Sequence, residues 1–288
     1  MAIVYNTLKN WSLPDHEHDY NDVATMLYAL GVGLGQDPMD EKQLPFVYEE
    51  NLRALPTMAV VLGYPGFWLI DPKTGVDWKQ VLHGEQGLIV YSPLPATGAV
   101  IGRSRIDEII DKGQGKGALI YSSRDILDKK TGKLYCTVTG TTFCRADGGF
   151  GGPSGPLKPV HPIPERQPDA VCTLTTRPEQ ALMYRLSGDR NPLHADPKVA
   201  AVAKFPKPIL HGLATFGLAG HAILRELCDY DPSRLKQMHV RFSSPVYPGE
   251  SIRTEMWREG KGRAAFRCWV VERNVMVINN GMVEYGDS

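Results

Sequence analysis

Asp189 and His194 stand five positions apart in Tyr184-Arg-Leu-Ser-Gly-Asp-Arg-Asn-Pro-Leu-His194, across a loop signal made by Gly188, Asn191 and Pro192. Gly and Pro set special backbone angles there, and Asp and Asn bond back to the main chain. Asp196-Pro197 then reads as a helix start, with Asp196 at the N-cap and Pro197 first in the helix. Pro208 precedes His211-Gly212, where a nearly all-apolar helix begins. The first amides of a helix have no partner inside it, so the Gly212 N–H is expected to be a free donor. A carboxylate, an imidazole and a helix-start amide are the parts needed to add or remove water beside a carbonyl.

Each of these residues also has a plain structural reading. Asp189 and Asn191 suit an Asx turn, and a lone histidine such as His194 is more often a satisfied structural residue. Asp196 is fully explained as a cap. His211 reads as a residue that orients the loop or pairs with a backbone carbonyl, and His221 as core. Gly212, Gly217 and Gly220 each cost a helix roughly 1 kcal/mol relative to Ala. Close packing of a sheet around the helix would account for Gly217 and Gly220, and ligand approach for Gly212. Zinc on Asp189, His194 and His211 is disfavoured, because no HExxH or clustered Cys/His spacing is present. Nucleophilic catalysis has neither a GxSxG nor a cysteine in a polar loop.

The elements that must position these groups occur twice. Residues 20–35 have helical apolar spacing and end in glycines, and residues 53–63 form an apolar run opened by Pro56 and closed by Gly63 and Pro65. Strand-like runs follow at Leu88–Tyr91, Ala99–Gly102, Ala118–Tyr121 and Leu134–Val138, with a hairpin turn at Lys129–Lys133. Residues 146–168 are the one long Gly/Pro-rich run and read as a linker. In the second half Gln180–Gly188 lines up with Thr25–Val32, Pro208–Leu213 with Pro56–Val61, and Ser244–Gly249 with Ser92–Gly98. Three landmarks in one order argue for internal duplication of an α+β unit with an antiparallel sheet. Gly33 and Pro38 fall opposite Asp189 and His194, so the acid/base groups belong to the second copy alone. The domains expected are 1–145, without catalytic groups, and 169–288, catalytic, joined by 146–168.

Composition narrows the function further. The 288 residues carry 32 Lys+Arg against 32 Asp+Glu, so no net field favours nucleic acid or an anionic membrane. No apolar run is long enough to span a bilayer, and the first residues lack the basic start of a signal peptide. The five cysteines are odd in number, lie in apolar runs and form no CxxC, as expected of buried free thiols in a reducing compartment.

The stretch Tyr184–His194, with Pro208-Ile-Leu-His-Gly-Leu213 and Arg241-Phe-Ser-Ser-Pro-Val-Tyr-Pro-Gly249, resembles the signature of the hydratase 2 (MaoC-like, R-specific enoyl-CoA hydratase) family. Tyr28-Ala-Leu-Gly-Val-Gly33, His83-Gly-Glu-Gln86 and Gly148-Gly-Phe-Gly-Gly152 are similar to that family's non-catalytic repeat. The resemblance implies two hot-dog repeats, each a long central helix wrapped by a curved antiparallel sheet. It implies reversible hydration of trans-2-enoyl-CoA to (3R)-3-hydroxyacyl-CoA, with no metal and no redox cofactor, in a homodimer. The family's catalytic Asp and His fall on Asp189 and His194, its Asn on Asn191 and its oxyanion-hole glycine on Gly212. Pro192, Leu193, His211 and Leu213 are expected beside the substrate, and Met58, Val60 and Val61 along its acyl chain. Which of Asp189 and His194 is base and which acid stays open. A dehydratase acting on acyl-carrier protein or in polyketide assembly is the alternative enzyme, and a thioester-binding module without turnover the alternative class. The C-terminal Tyr285-Gly286-Asp287-Ser288 is not a peroxisomal address, which gives the expectation of a cytoplasmic, bacterial-type enzyme.

Overall fold

A computed structural model of the chain describes residues 3–286; Met1, Ala2, Asp287 and Ser288 lie outside the described residues, and with them the end of the tail Tyr285-Gly286-Asp287-Ser288. The first half runs α1 (Tyr5–Lys9), β1 (His16–Tyr20), α2 (Asp22–Gly31), α3 (Leu44–Val47), a series of 3₁₀ turns beginning with Pro56–Val60, then β2 (Val81–Val90), β3 (Gly98–Asp111), β4 (Ala118–Asp128) and β5 (Leu134–Cys144). The second half runs β6 (Ala170–Thr175), α4 (Gln180–Tyr184), α5 (Pro197–Val202), α6 (Gly212–Leu227), β7 (Leu235–Phe242), β8 (Ser251–Arg258), β9 (Arg263–Val270) and β10 (Val275–Tyr285). The fold is therefore α+β, and the strand-like runs read above fall on β2, β3, β4 and β5, with Tyr91 one residue past the end of β2. Asp128 builds the β4–β5 hairpin, its Oδ1 accepting from the amides of Lys130 and Thr131 before Gly132 turns the chain at φ 71°.

One antiparallel sheet holds all ten strands in the order β1-β3-β4-β5-β2-β7-β10-β9-β8-β6. Read from its two ends, this order matches strand for strand if β1, β3, β4, β5 and β2 correspond to β6, β8, β9, β10 and β7. The two halves meet at β2 and β7, in register from Glu85 against Arg241 to Ile89 against Gln237. This seam removes the two edges that separate five-stranded halves would expose. Residues 152–164 have no regular secondary structure but are fastened down: Lys158 sits over the Tyr121 ring at 4.4 Å, and His161 pairs with Glu259 at 2.7 Å.

The expectation of a long central helix in each half holds only for the second. There α6 is buried at every position from Ala214 to Leu224, as an all-round apolar helix must be. The aligned stretch of the first half is the short 3₁₀ turn Pro56–Val60. Pro56 opens it, and Gly63 ends it at φ 56°, where the chain presses so closely on β3 that a Cβ on Gly102 would stand 2.0 Å from the Gly63 carbonyl oxygen. Too few residues lie between those stops for a helix to propagate.

The glycines of α6 explain how one helix serves both halves. A Cβ on Gly217 would lie 2.4 Å from Val32 Cγ1, and one on Gly220 2.6 Å from Thr57 Cγ2. It is these two first-half residues, and not the sheet, that require glycine there. Tyr28, Met58 and Leu62 accordingly share one hydrophobic core with Phe216, Leu218 and Ile223. Gly217→Ala should therefore lower the stability of the whole chain, because overpacking of about 1–3 kcal/mol outweighs a gain of roughly 1 kcal/mol in helix propensity. Urea denaturation checks this; a midpoint raised by the substitution would contradict the close approach.

Candidate active site

The loop that carries Asp189 and His194 is shaped by local rules. After α4 and the 3₁₀ turn Arg185–Ser187, Gly188 breaks the helical path at φ 126°. Asp189 Oδ1 then accepts from the Asn191 amide at 3.2 Å, and Asn191 Oδ1 accepts from the Leu193 amide at 3.0 Å. The second bond caps the 3₁₀ turn Pro192–His194. The side-chain oxygen of Asn191 thus holds the turn that presents His194. Asp196 caps α5 as expected, accepting from the Lys198 amide.

His194 is 8% exposed, and its Nδ1 lies 2.8 Å from the carbonyl oxygen of Ile209. A carbonyl only accepts, so Nδ1 carries the proton and Nε2 the lone pair. Burial lowers the His194 pKa below the ordinary imidazole value, while the Ile209 carbonyl and the Asp189 charge pull it upward. His211, the N-cap of α6, donates through Nε2–H to the Asp189 carbonyl at 3.1 Å, which is the carbonyl pairing anticipated from sequence. Its pKa is pushed down to about 4, first by burial and then by His194. The two imidazoles stack with centroids 3.7 Å apart and planes 28° apart. His221 is a core residue, bonded through Nε2 to the Tyr230 hydroxyl at 3.0 Å.

At the start of α6 the amides of Ala214 and Thr215 both donate to His211 O. Among the described residues the Gly212 amide has no acceptor. A Cβ on Gly212 would meet the Phe242 ring at 3.6–3.8 Å, an ordinary contact. Packing therefore does not require glycine here, in contrast to Gly217 and Gly220.

Ligand atoms of Asp189, His194 and His211 all lie within 4.8 Å of one another. Folding thus brings together groups whose spacing along the chain carries no metal signature. Both histidines are anchored through one nitrogen to a backbone carbonyl, as metal-bound histidines are. Their stacking argues the other way. An imidazole lone pair lies in its ring plane, and with planes 28° apart at 3.7 Å an ion seated in one plane stands off the other. The arrangement suits a proton-transfer pair with a backing ring better than a cation site.

A mainly apolar cavity of about 150 Å³ adjoins the loop, lined from the second half by Leu186, Ser187 and Gly188 and from the first by residues including Leu27, Met58, Val61 and Leu62. Met58 and Val61 are both in its wall. Val60 does not line this cavity: its side chain is buried, and its carbonyl accepts from Arg124 at 2.7 Å. Pro192 is exposed, Leu193 and Leu213 are half-buried, and neither they nor His211 line this cavity.

Sequence reasoning missed two neighbours of Asp189 and a cation beside one of them. His83 on β2 and Tyr64 both feel the Asp189 charge, and Arg124 on β4 lies under the Tyr64 ring at 5.3 Å. His83 and Tyr64 are both solvent-exposed. His83 also meets Phe242 edge-on at 4.9 Å. Only the motif His83-Gly-Glu-Gln86 hinted at any of them.

Residues 18–146 match the MFE-2 hydratase 2 N-terminal domain, and residues 159–280 match the MaoC like domain. Over 92% of this chain and 90% of its own length, peroxisomal enoyl-CoA hydratase 2 of Arabidopsis thaliana is 40% identical. 3-Hydroxyacyl-thioester dehydratase Y of Mycobacterium tuberculosis is also 40% identical, over 93% of each chain. Among solved structures, a MaoC-like dehydratase from Phytophthora capsici superposes with a TM-score of 0.87 at 34% identity, covering 98% of this chain and 99% of its own. The chain spans 37% of the mouse peroxisomal multifunctional enzyme type 2. The expectation of a cytoplasmic enzyme is overturned by these relatives, since those from Arabidopsis, mouse, Drosophila, Neurospora and yeast are named as peroxisomal. Compartment is set by short receptor-read addresses, which neither composition nor cysteine burial reveals. With the core of the motif held around one buried histidine, and with relatives 40% identical along more than nine-tenths of its length, the chain belongs to the MaoC-like, hydratase 2 family.

Proposed function

We propose that this protein reversibly hydrates trans-2-enoyl-CoA to (3R)-3-hydroxyacyl-CoA, as a member of a family of hydratases and dehydratases acting on acyl thioesters. The observation that carries the reading is the convergence of the Asp189 carboxylate with the imidazoles of His194 and His211, the residue that precedes the free amide of Gly212. The (3R) product follows from the family resemblance. The homodimer rests on that resemblance alone. Residues 1–145 are assigned as a non-catalytic hot-dog repeat, 146–168 as a linker and 169–288 as the catalytic repeat. The matching strand order of the two halves supports that division.

In the hydration direction, His194 Nε2 takes a proton from a water held between it and Asp189, as its fixed tautomer allows. The water oxygen bonds to C3, and the C2=C3 electrons move onto the thioester oxygen. The Gly212 amide and the positive end of α6 stabilise that oxyanion, a term typically worth about 3 kcal/mol per donor. The Asp189 carboxylate offsets the imidazolium formed in the same step. Collapse of the enolate then takes the proton from His194 onto C2. The cavity beside Leu186–Gly188 accepts the acyl chain, with Met58 and Val61 in its wall.

Loss of enoyl absorbance with crotonyl-CoA and with a longer enoyl-CoA, followed by the chirality of the product, tests the reading; no turnover of either thioester would overturn it. Asp189→Asn and His194→Gln should each lower kcat by about 10²–10⁴-fold, with little change in thermal midpoint. The double variant should lose scarcely more than either single one, since both groups act on one water. A single variant that kept more than about a tenth of the activity would remove that residue from the mechanism.

The pH profile follows from burial. The base must be neutral, and His194 titrates below the ordinary imidazole value, so activity is present at neutral pH and falls only as pH drops through that lowered pKa. The acid limb of kcat/KM for wild type should therefore lie below about 6.5, and a limb above that value would mean that His194 is not the base. Gly212→Val tests the oxyanion site. It should lower kcat/KM by about 10²–10³-fold, the scale of one lost donor, while shifting the thermal midpoint little. The opposite order would make Gly212 a packing residue.

A further inference from the structure

We infer that His211 is a positioning residue that fixes the Asp189 loop and the His194 ring together against the start of α6; the inference rests on the hydration chemistry proposed above. Several contacts converge on this one imidazole, which is 1% exposed. Its Nε2–H holds the Asp189 carbonyl at 3.1 Å. One neighbour in its packing is His194, stacked at 3.7 Å. Another is Tyr184, whose centroid lies 5.0 Å away, and Tyr184 in turn meets Tyr28 of α2 at 5.9 Å. A chain of rings thus runs from the first half to the proposed base. The backbone of His211 is itself held, because its carbonyl accepts from both Ala214 and Thr215.

These contacts supply what the loop lacks. Gly188 has open space where a side chain would stand, so packing at that residue does not hold Asp189 in place. The bond to Ile209 fixes one nitrogen of His194 but leaves the ring able to swing about it. A flat ring stacked on its face restricts that swing, and the bond from the same ring to the Asp189 main chain sets the carboxylate relative to the imidazole. A proton-transfer pair needs such control, since a displacement of about 1 Å can cost 10²-fold in rate. Notably, the residue that orients the base is not an acid, as it is in a Ser-His-Asp triad, but a second neutral imidazole.

The stack also shapes the titration. Two rings this close disfavour being charged together, and burial lowers the pKa of each. The charged and titratable groups facing the pair are Asp189, which raises both, Arg185, which lowers His211, and the buried Tyr184. His83 and Tyr64 lie beyond Asp189 and sense its charge.

Two variants separate the two functions of the ring. His211→Gln keeps an N–H for the Asp189 carbonyl but removes the stack, and His211→Phe keeps a ring but no donor. Each is expected to lower kcat roughly 10–100-fold while KM stays within about threefold of wild type. In the Gln variant, water reaching the uncovered His194 should raise its pKa, moving the acid limb of kcat/KM to higher pH. Histidine-ring ¹H–¹⁵N spectra of the free protein read the same effect without substrate: a slowly exchanging His194 Nδ1–H in wild type, exchanging faster in both variants. If one variant fails to fold, the other is read. A folded variant with wild-type kcat, acid limb and His194 exchange would overturn the inference and leave His211 as packing only. Should wild type hydrate no enoyl-CoA, the reaction assignment fails, and the ring spectra still decide whether His211 holds His194.

Discussion

The structure depends on covering one helix. α6 is apolar on every side, and no single sheet face can bury a cylinder all round, so the helix needs cover from both halves of the chain. The first half supplies it with Val32 at the end of α2 and Thr57 in the Pro56–Val60 turn, which press against Gly217 and Gly220. The pairing of β2 with β7 completes the arrangement by turning two five-stranded layers into one sheet. A side chain on either glycine would push the halves apart, so sheet continuity and helix burial stand or fall together.

The asymmetry of the halves follows from that constraint and prepares the chemistry. Where the second half has a long helix, the first has a short 3₁₀ turn, held by Arg124 at the Val60 carbonyl and by the close approach of Gly63 to Gly102. Met58 in that turn, and Val61 and Leu62 just after it, line the apolar cavity beside the Asp189 loop. The first half thus offers a short turn at a cavity wall, and the second a helix N-terminus with a free amide.

At that N-terminus two histidines are buried, neutral and stacked. Burial disfavours the charged form of each, and stacking disfavours charging both. Backbone carbonyls fix each ring in one tautomer, from Ile209 for His194 and from Asp189 for His211. Local turn chemistry through Asn191 then sets the height at which His194 enters the site. No single contact here is strong. The precision comes from several short-range constraints meeting on two rings.

The sequence by itself determined whatever is decided within one turn of chain. Asp189, Asn191, Pro192 and His194 fall within six positions, so their loop and its caps follow from backbone preferences alone; the start of α6 was likewise announced by Pro208 and Gly212, and the hairpin at Lys129–Lys133 by its turn residues. A shared order of helical and strand-like runs was legible in both halves, because apolar periodicity is local, although β1, β6 and β7 were not read as strands. The tertiary structure alone decided what depends on contacts between distant segments. The apolar run from Pro56 to Gly63 has its stops in the sequence, and the approach of Gly63 to Gly102 holds it as a short turn. Val60 looked like cavity lining, but its place was fixed by the core around it and by Arg124, far along the chain. The approach of His83 and Tyr64 to Asp189, and the stacking of His211 on His194, could not be read from local sequence, although the motif at His83 marked that residue, because the side chains that meet there come from separate strands and loops whose register is set by packing.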